Sequence, residues 1–228
     1  MKHLLIVFDS VRYDRFMKAY APNLKSLGRV VKAYSHGRWT RPSMTSILSG
    51  YLPRSELGQI YKPSGIMCGR EMFHNQNIPS FFIHSNAWVY RMHPSRYVEK
   101  FFDICMAREM VAYTLKIMET HKNYFICILF TETHIPYTNN FDKNTETFIK
   151  MVEKYNKGID NNADKTAIKR QIKMIEYLDK TIKPLLSHPE KIIFTSDHGE
   201  LQGEHHLVGH DPTYPFHIKL FEVPLIIS

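Results

Sequence analysis

Four stretches of the sequence place polar side chains where chemistry could be done. Asp197 and His198 stand side by side in Thr195-Ser196-Asp197-His198-Gly199-Glu200, directly after the run Lys191-Ile192-Ile193-Phe194. An adjacent carboxylate and imidazole can hold one divalent cation, the first through a hard oxygen and the second through a borderline nitrogen. Gly199 is expected to let the backbone turn away after the pair. Asp9 repeats the placement after the apolar run Leu4 to Phe8, and His134 comes soon after a third run, Tyr124 to Phe130. Thr40 opens Thr40-Arg41-Pro42-Ser43-Met44-Thr45-Ser46-Ile47-Leu48-Ser49-Gly50. An early proline, many hydroxyls and a closing glycine describe a short helix. Thr40 is expected just before that helix begins, where backbone amides and the helix dipole can hold an anion against its hydroxyl. That is suitable chemistry for a nucleophile at a phosphoryl centre. Each residue also has a plainer reading. Asp9 and Ser10 both cap helices well, and Ser10 could cap while Asp9 points at a metal. Thr40 could be a simple N-cap and His134 a structural histidine.

These side chains work together only if the chain gathers them. Short apolar runs closed by turn signals read as buried strands. Such runs fall at 4–8, 78–84, 124–130, 192–195 and 223–227, and 29–35 alternates as a further strand. Helical spacing marks 22–27, 106–121 and 163–187, with Pro184 weakening the last turn. Residues 51–75 read as loop. Residues 87–105, with Trp88, Tyr90, Tyr97, Phe101 and Phe102, read as a substrate-facing wall or an aromatic satellite core. Residues 138–163 are polar and read as a surface excursion. Alternating strands and helices predict one α/β domain over 1–228, a three-layer sandwich around a mainly parallel sheet. In it, Asp9, Thr40, His134, Asp197 and His198 collect along the carboxyl edge of the sheet, where such folds bind ligands. Residues 51–105 and 138–165 are expected to be its substrate-side loops.

Composition narrows the partners. The chain has 228 residues and a net charge of +8, with a pI near 9.3. A basic balance suits anionic ligands such as phosphate or sulfate esters, or is simply a solvated surface. No nucleic-acid motif is present, and no apolar run reaches the length of a membrane span. Cys68, Cys105 and Cys127 are far apart with no CxxC spacing, which argues against a disulfide framework or a cysteine-built zinc site. Cys127 reads as a core residue. The apolar run at the amino terminus is too short for a signal peptide and ends in Asp9. The expected location is the cytoplasm.

Four blocks, in order, resemble the sulfatase branch of the alkaline phosphatase superfamily. They are Phe8-Asp9-Ser10-Val11-Arg12-Tyr13-Asp14, the Thr40 to Gly50 segment, His134-Ile135-Pro136-Tyr137, and Thr195 to Glu200. The last is followed by Gly203 to His210 and Val223 to Ile227. The resemblance implies an alkaline-phosphatase/sulfatase-like fold, here without the family's usual carboxyl-terminal subdomain. It implies one divalent metal, Mn²⁺ or Zn²⁺ rather than Ca²⁺, held by Asp9, Thr40, Asp197 and His198. Thr40, His134 and His210 would be catalytic, and Arg41, Asn86, His134 and His210 would bind substrate. The departures matter as well. Sulfatases convert a Cys or Ser at the nucleophile position to formylglycine, and Thr40 cannot follow. The family's arginine four residues on is Met44. These changes are similar to the threonine-dependent phosphoryl-transfer members. The reading is a hydrolase of phosphate esters acting through a phospho-threonine. The alternatives are a phosphotransferase to a glycan or lipid acceptor, a non-catalytic binding module, and a sulfuric ester hydrolase. His205 and His206 are expected to be a solvated pair, and Asp14, Glu200 and Glu204 caps or surface charges rather than ligands.

Overall fold

A computed structural model describes residues 1–50, 52, 61–62, 65–66, 78–86 and 98–228. The order is β1 (Lys2–Phe8), α1 (Tyr13–Lys18), α2 (Pro22–Lys25), β2 (Val31–Tyr34), α3 (Thr40–Ser49), β3 (Tyr61–Lys62), β4 (Gly65–Ile66), β5 (Ser80–His84), β6 (Val98–Phe101), α4 (Ala107–Thr120) and β7 (Tyr124–Phe130). It continues with α5 (Lys143–Asn156), α6 (Ala163–Thr181), β8 (Lys191–Ser196), β9 (Leu201–Gln202), β10 (Val208–Gly209) and β11 (Glu222–Ile227).

The main sheet runs β2-β11-β8-β1-β7-β5-β6. β8, β1, β7, β5 and β6 are mutually parallel, while β11 pairs antiparallel with both β8 and β2. β1 lies at the centre, and its unbroken apolar run is what a strand covered on both faces requires. Successive side chains of a strand point to opposite faces. Leu4, Ile6 and Phe8 therefore join the core that holds Phe16 of α1, Met110 and Ile117 of α4, and Ile175 and Leu178 of α6. Leu5 and Val7 join the opposite core, with Met44 and Leu48 of α3. Helices on both faces make the three layers.

The register then fixes the site. Phe8 is level with Phe130 on one side and with Ser196 on the other. The next residues, Asp9, Thr131 and Asp197, thus emerge side by side, with neighbouring strands about 4.8 Å apart.

Three expectations are corrected. Residues 143–156 are not a surface excursion but a helix, α5, capped by Asp142, whose side chain accepts from the Thr145 amide. Its Phe148, Val152 and Tyr155 build a satellite core with Ala163, Ala167 and Met174 of α6. Its apolar residues are sparse, and the helix is stabilised by that partner. Helix α6 ends at Thr181, and a 3₁₀ turn over Lys183–Ser187 carries Pro184, which cannot donate to a helical bond. Val98–Phe101 form an edge strand where only an aromatic wall or core was expected. Residues 51–75 and 87–97 fall largely outside the described residues, as do Trp88, Tyr90, Tyr97 and Cys68. Cys105 and Cys127 are free, and Cys127 is buried in the core.

Candidate active site

Asp9, Thr40, Asp197 and His198 are all buried, none more than 3% exposed. Ligand atoms of Asp9, Asp197 and His198 lie within 4.8 Å of one another. His198 Nε2 is 3.6 Å from Asp9 Oδ1 and 3.5 Å from Asp197 Oδ2. The Thr40 hydroxyl is 3.3 Å from His198 Nε2 and 3.5 Å from Asp9 Oδ2. Asn86, at the end of β5, donates from Nδ2 to Asp9 Oδ2 at 2.8 Å and reaches Thr40 Oγ1 at 3.4 Å. The four expected ligands and Asn86 are therefore brought together.

The backbone around them is pinned from several sides. Ser10 does not cap a helix, since Arg12 is the residue at the N-cap of α1. The Ser10 hydroxyl instead donates to Asp9 Oδ1 at 2.7 Å, and its amide to Asp197 Oδ1 at 3.0 Å. Thr133 holds the Asp9 carbonyl and Gln171 of α6 the Ser10 carbonyl. Thr40 is the first residue of α3 rather than the residue before it, and Trp39 at the N-cap supplies no side-chain cap. Gly199 serves close approach rather than a turn. A Cβ there would stand 2.0 Å from the Lys219 carbonyl oxygen, so only glycine fits.

The electrostatics favour a cation. Burial, and then the neighbouring Asp9 carboxylate, push the Asp197 carboxyl well above the usual carboxylate range. Asp197 Oδ2 is buried without a hydrogen-bond partner. Burial, followed by His210 and His134, pushes His198 well below the usual imidazole range, against the opposing effect of the Gly199 carbonyl. His198 is thus neutral. Its Nδ1 bonds the Gly199 carbonyl at 2.7 Å, which puts the proton there and leaves Nε2 with a free lone pair facing both carboxylates. Two facing buried carboxylates, an orphaned oxygen and an oriented imidazole form a donor set that a divalent cation fits.

A second group borders the first. The His210 ring packs edge-on against His198 at 4.3 Å and against His134 at 5.0 Å. His210 Nδ1 is 3.1 Å from Glu200 Oε1, and the Tyr137 hydroxyl donates to Glu200 Oε2. Burial works against the charged form of His134, but Asp9, Glu200 and the Ile135 carbonyl outweigh it and raise its pKa. Glu200 is fully buried, so its reading as a cap or surface charge is corrected. Asp14 and Glu204, both partly exposed, bind the buried Arg12 guanidinium, which also reaches the Glu200 carbonyl. The signal for Glu200 in the sequence was its place in the Asp-His-Gly-Glu block; its partners Tyr137 and His210 are supplied by tertiary structure. His205 and His206 are exposed, as expected. Arg41 is exposed on the first turn of α3 and bonds none of these side chains. Met44 is fully buried in the core under α3, which explains why no polar residue stands there.

No protein-family model matches the chain, and no curated protein sequence matches it. Solved structures do match. One is the C-terminal periplasmic domain of phosphoethanolamine transferase EptC from Campylobacter jejuni, with a TM-score of 0.66 at 15% identity, covering 99% of this chain and 78% of that one. Another is the phosphonate monoester hydrolase of Agrobacterium radiobacter, with a TM-score of 0.69 at 13% identity, covering 99% and 67%. A third is a 2-O GAG sulfatase, with a TM-score of 0.64 at 15% identity, covering 100% and 64%. The chain has the fold of the alkaline phosphatase superfamily. Its mainly parallel sheet is the one that sulfatase-like members share, and enzymes with this fold include both transferases and hydrolases. Among the described residues no helix is long and apolar enough to cross a membrane.

Proposed function

We propose that the chain is a metal-dependent hydrolase of phosphate esters with Thr40 as nucleophile. The observation that carries this is the Thr40 hydroxyl, buried within 3.5 Å of both Asp9 and His198 at the start of a ten-residue helix. Asp9, Thr40, Asp197 and His198 would hold the ion. A zinc complex of the E. coli EptC periplasmic domain is among the similar structures, and the imidazole donor favours Zn²⁺ or Mn²⁺ over Ca²⁺. When bound, the ion would lower the hydroxyl pKa and neutralise charge on the phosphoryl oxygens.

The residues do the rest. Asn86 fixes Asp9 and offers its amide to the anion beside Thr40. Thr40 Oγ attacks phosphorus in line, the bond to the leaving oxygen breaks, and a phospho-threonine remains. His134, with its raised pKa, gives a proton to the leaving oxygen or holds a phosphoryl oxygen. His210, oriented by Glu200, faces the same space. Water then attacks phosphorus and restores Thr40. If an acceptor alcohol replaces water, the same steps make a phosphotransferase, and the likeness to the phosphoethanolamine transferase domain supports that second reading. A threonine cannot become formylglycine, which sets sulfate ester hydrolysis behind both.

The test is hydrolysis of bis-p-nitrophenyl phosphate with Mn²⁺ or Zn²⁺, with p-nitrophenyl sulfate as control. Activity on the phosphate that Thr40→Ala abolishes is the expected result. Equal activity in both proteins overturns Thr40 as nucleophile.

A further inference from the structure

Helix α6 carries a line of cations. Lys165, Lys169 and Lys173 follow at four-residue spacing, so they share one face, and all three are exposed. Among the described residues none of them forms an ion pair. The line ends at a cavity of about 370 Å³, within the size of small-molecule sites. Arg170 and Lys173 line it from α6, and Asn139, Asn140 and Asn144 line it from the other side. Thr138 lines both this cavity and the one that Asn86 and His134 border, so the two meet at the loop that leaves His134.

Arg170 is held still. Its Nη1 donates to the Pro136 carbonyl at 3.4 Å and its Nη2 to the Asn144 carbonyl at 3.1 Å. The guanidinium lies 4.6 Å from the centre of the Phe148 ring. These contacts use two of its five N–H donors. Among the described residues no carboxylate pairs with it. The acid in the lining is Asp142, and it is engaged as the cap of α5, accepting from the Thr145 amide at 2.9 Å and hydroxyl at 3.0 Å. Burial lowers the Arg170 pKa, and the attraction of Asp142 does not restore it. Holding two carbonyls requires donors but not a charge. A fixed guanidinium without a carboxylate, one turn from an exposed ammonium, is an arrangement that takes an oxyanion in two parallel bonds.

We propose that this cavity is a second anion site, separate from the Thr40 group, which binds a phosphate or carboxylate between Arg170 and Lys173. The anion is a second charged group on the substrate or a free ion. The site does not depend on the reading of Thr40 as nucleophile.

The experiment is titration of inorganic phosphate into the Zn²⁺-loaded protein, read by NMR at the Arg170 side chain and the amides of residues 138–145. Saturable shifts are expected there. Arg170→Gln should weaken that binding about ten- to hundred-fold, and Lys173→Gln about ten-fold. Should Arg170→Gln fail to fold, Lys173→Glu on the exposed face should abolish saturation. Lys165→Gln removes the same charge two turns away, outside the lining. At physiological ionic strength that distance is screened, and its affinity should stay within about two-fold of wild type. Shifts that do not saturate in the wild type, or a loss in Lys165→Gln equal to that in Lys173→Gln, overturn the site and leave only a basic face.

Turnover with Mn²⁺ then identifies the source of the anion. The p-nitrophenyl esters of propylphosphonate, 3-carboxypropylphosphonate and 5-carboxypentylphosphonate differ in the terminal carboxylate. A preference of about ten-fold in kcat/KM for a carboxylate arm, removed by Lys173→Gln, places the anion on the substrate. Equal turnover of all three with phosphate binding intact makes it a separate ion. No turnover of any, with phosphate still bound at Arg170, overturns the Thr40 reading and leaves this site standing.

Discussion

Asp9, Asp197 and His198 leave the ends of adjacent parallel strands, whereas His134, His210 and Glu200 come from the turns beyond. The first group is fully buried and cross-braced: one amide, Ser10, is held by the carboxylate of a strand end 187 residues away. The second is partly open, with 12% of the His210 side chain exposed. Strand register can place two carboxylates against each other because the sheet's hydrogen bonds absorb the repulsion. Turns can supply histidines that remain exchangeable with solvent. Rigid strand ends suit a metal, which demands fixed donors, and turns suit proton transfer, which demands access.

The largest test of that contrast is Asp197→Asn. It removes the orphaned carboxylate oxygen, so turnover should fall to background, and added Mn²⁺ or Zn²⁺ should no longer raise the melting temperature. Above the ordinary carboxylate range the metal-free variant should melt higher than metal-free wild type, because the asparagine side chain is neutral without having to take up the proton that buried Asp197 needs. The pH dependence has a definite sign. A carboxyl raised in the native state binds its proton more tightly than in the unfolded chain. Metal-free wild type should therefore lose stability as pH rises from the ordinary carboxylate value of about 3.9 towards the raised native value. Melting curves from pH 4 upward, with chelator, should show that slope in the wild type and a flatter one in the variant.

His134→Gln probes the second group. The loss of rate should be about 10²- to 10⁴-fold, as for a general acid, with metal content unchanged by elemental analysis. If metal is lost as well, the two groups are not separate. The raised pKa of His134 also has a sign. The stability that its protonation contributes is fully present below the ordinary histidine value and is lost as pH rises through its higher native value. Wild-type activity that uses the protonated ring should fall over the same upper window, and titration of the ring by NMR would locate it.

Asn86→Ala should act on the metal group from outside. Losing the 2.8 Å bond to Asp9 should weaken metal binding about 10- to 100-fold, measured by competition with a chelator. An unchanged affinity would mean that Asp9 is held by Ser10 alone. The smallest effect belongs to Tyr137→Phe. It leaves Glu200 Oε2 short of a donor in a buried place, at about 1–3 kcal/mol in stability by denaturant unfolding. Its rate should stay within about ten-fold of wild type, since Glu200 still faces His210 through the other oxygen.

Much of this was legible in the residues. Buried parallel strands are near-continuous apolar runs, so β1, β7 and β8 announced themselves, and each exposes its polar group where the run stops. Asp9, Asp197 and His198 needed nothing more than those stops. Asn86 followed from β5 in the same way. Helix α5 did not, because its apolar face is narrow and is defined by the partner it meets in α6. Glu200 and Tyr137 stood in legible blocks, but their pairing was illegible for a related reason. A glutamate beside a glycine reads as a surface or capping charge until the opposite wall is known. The sequence by itself determined the buried central strands, their order of polar ends and the residue types of the metal group, because periodicity and strand termination are local properties. The tertiary structure alone decided which carboxylates are buried, that Gly199 must pass the Lys219 carbonyl, that Glu200 grips His210, and that Glu132 is buried with one oxygen unpaired. Burial and pairing depend on what the rest of the chain brings to the other side.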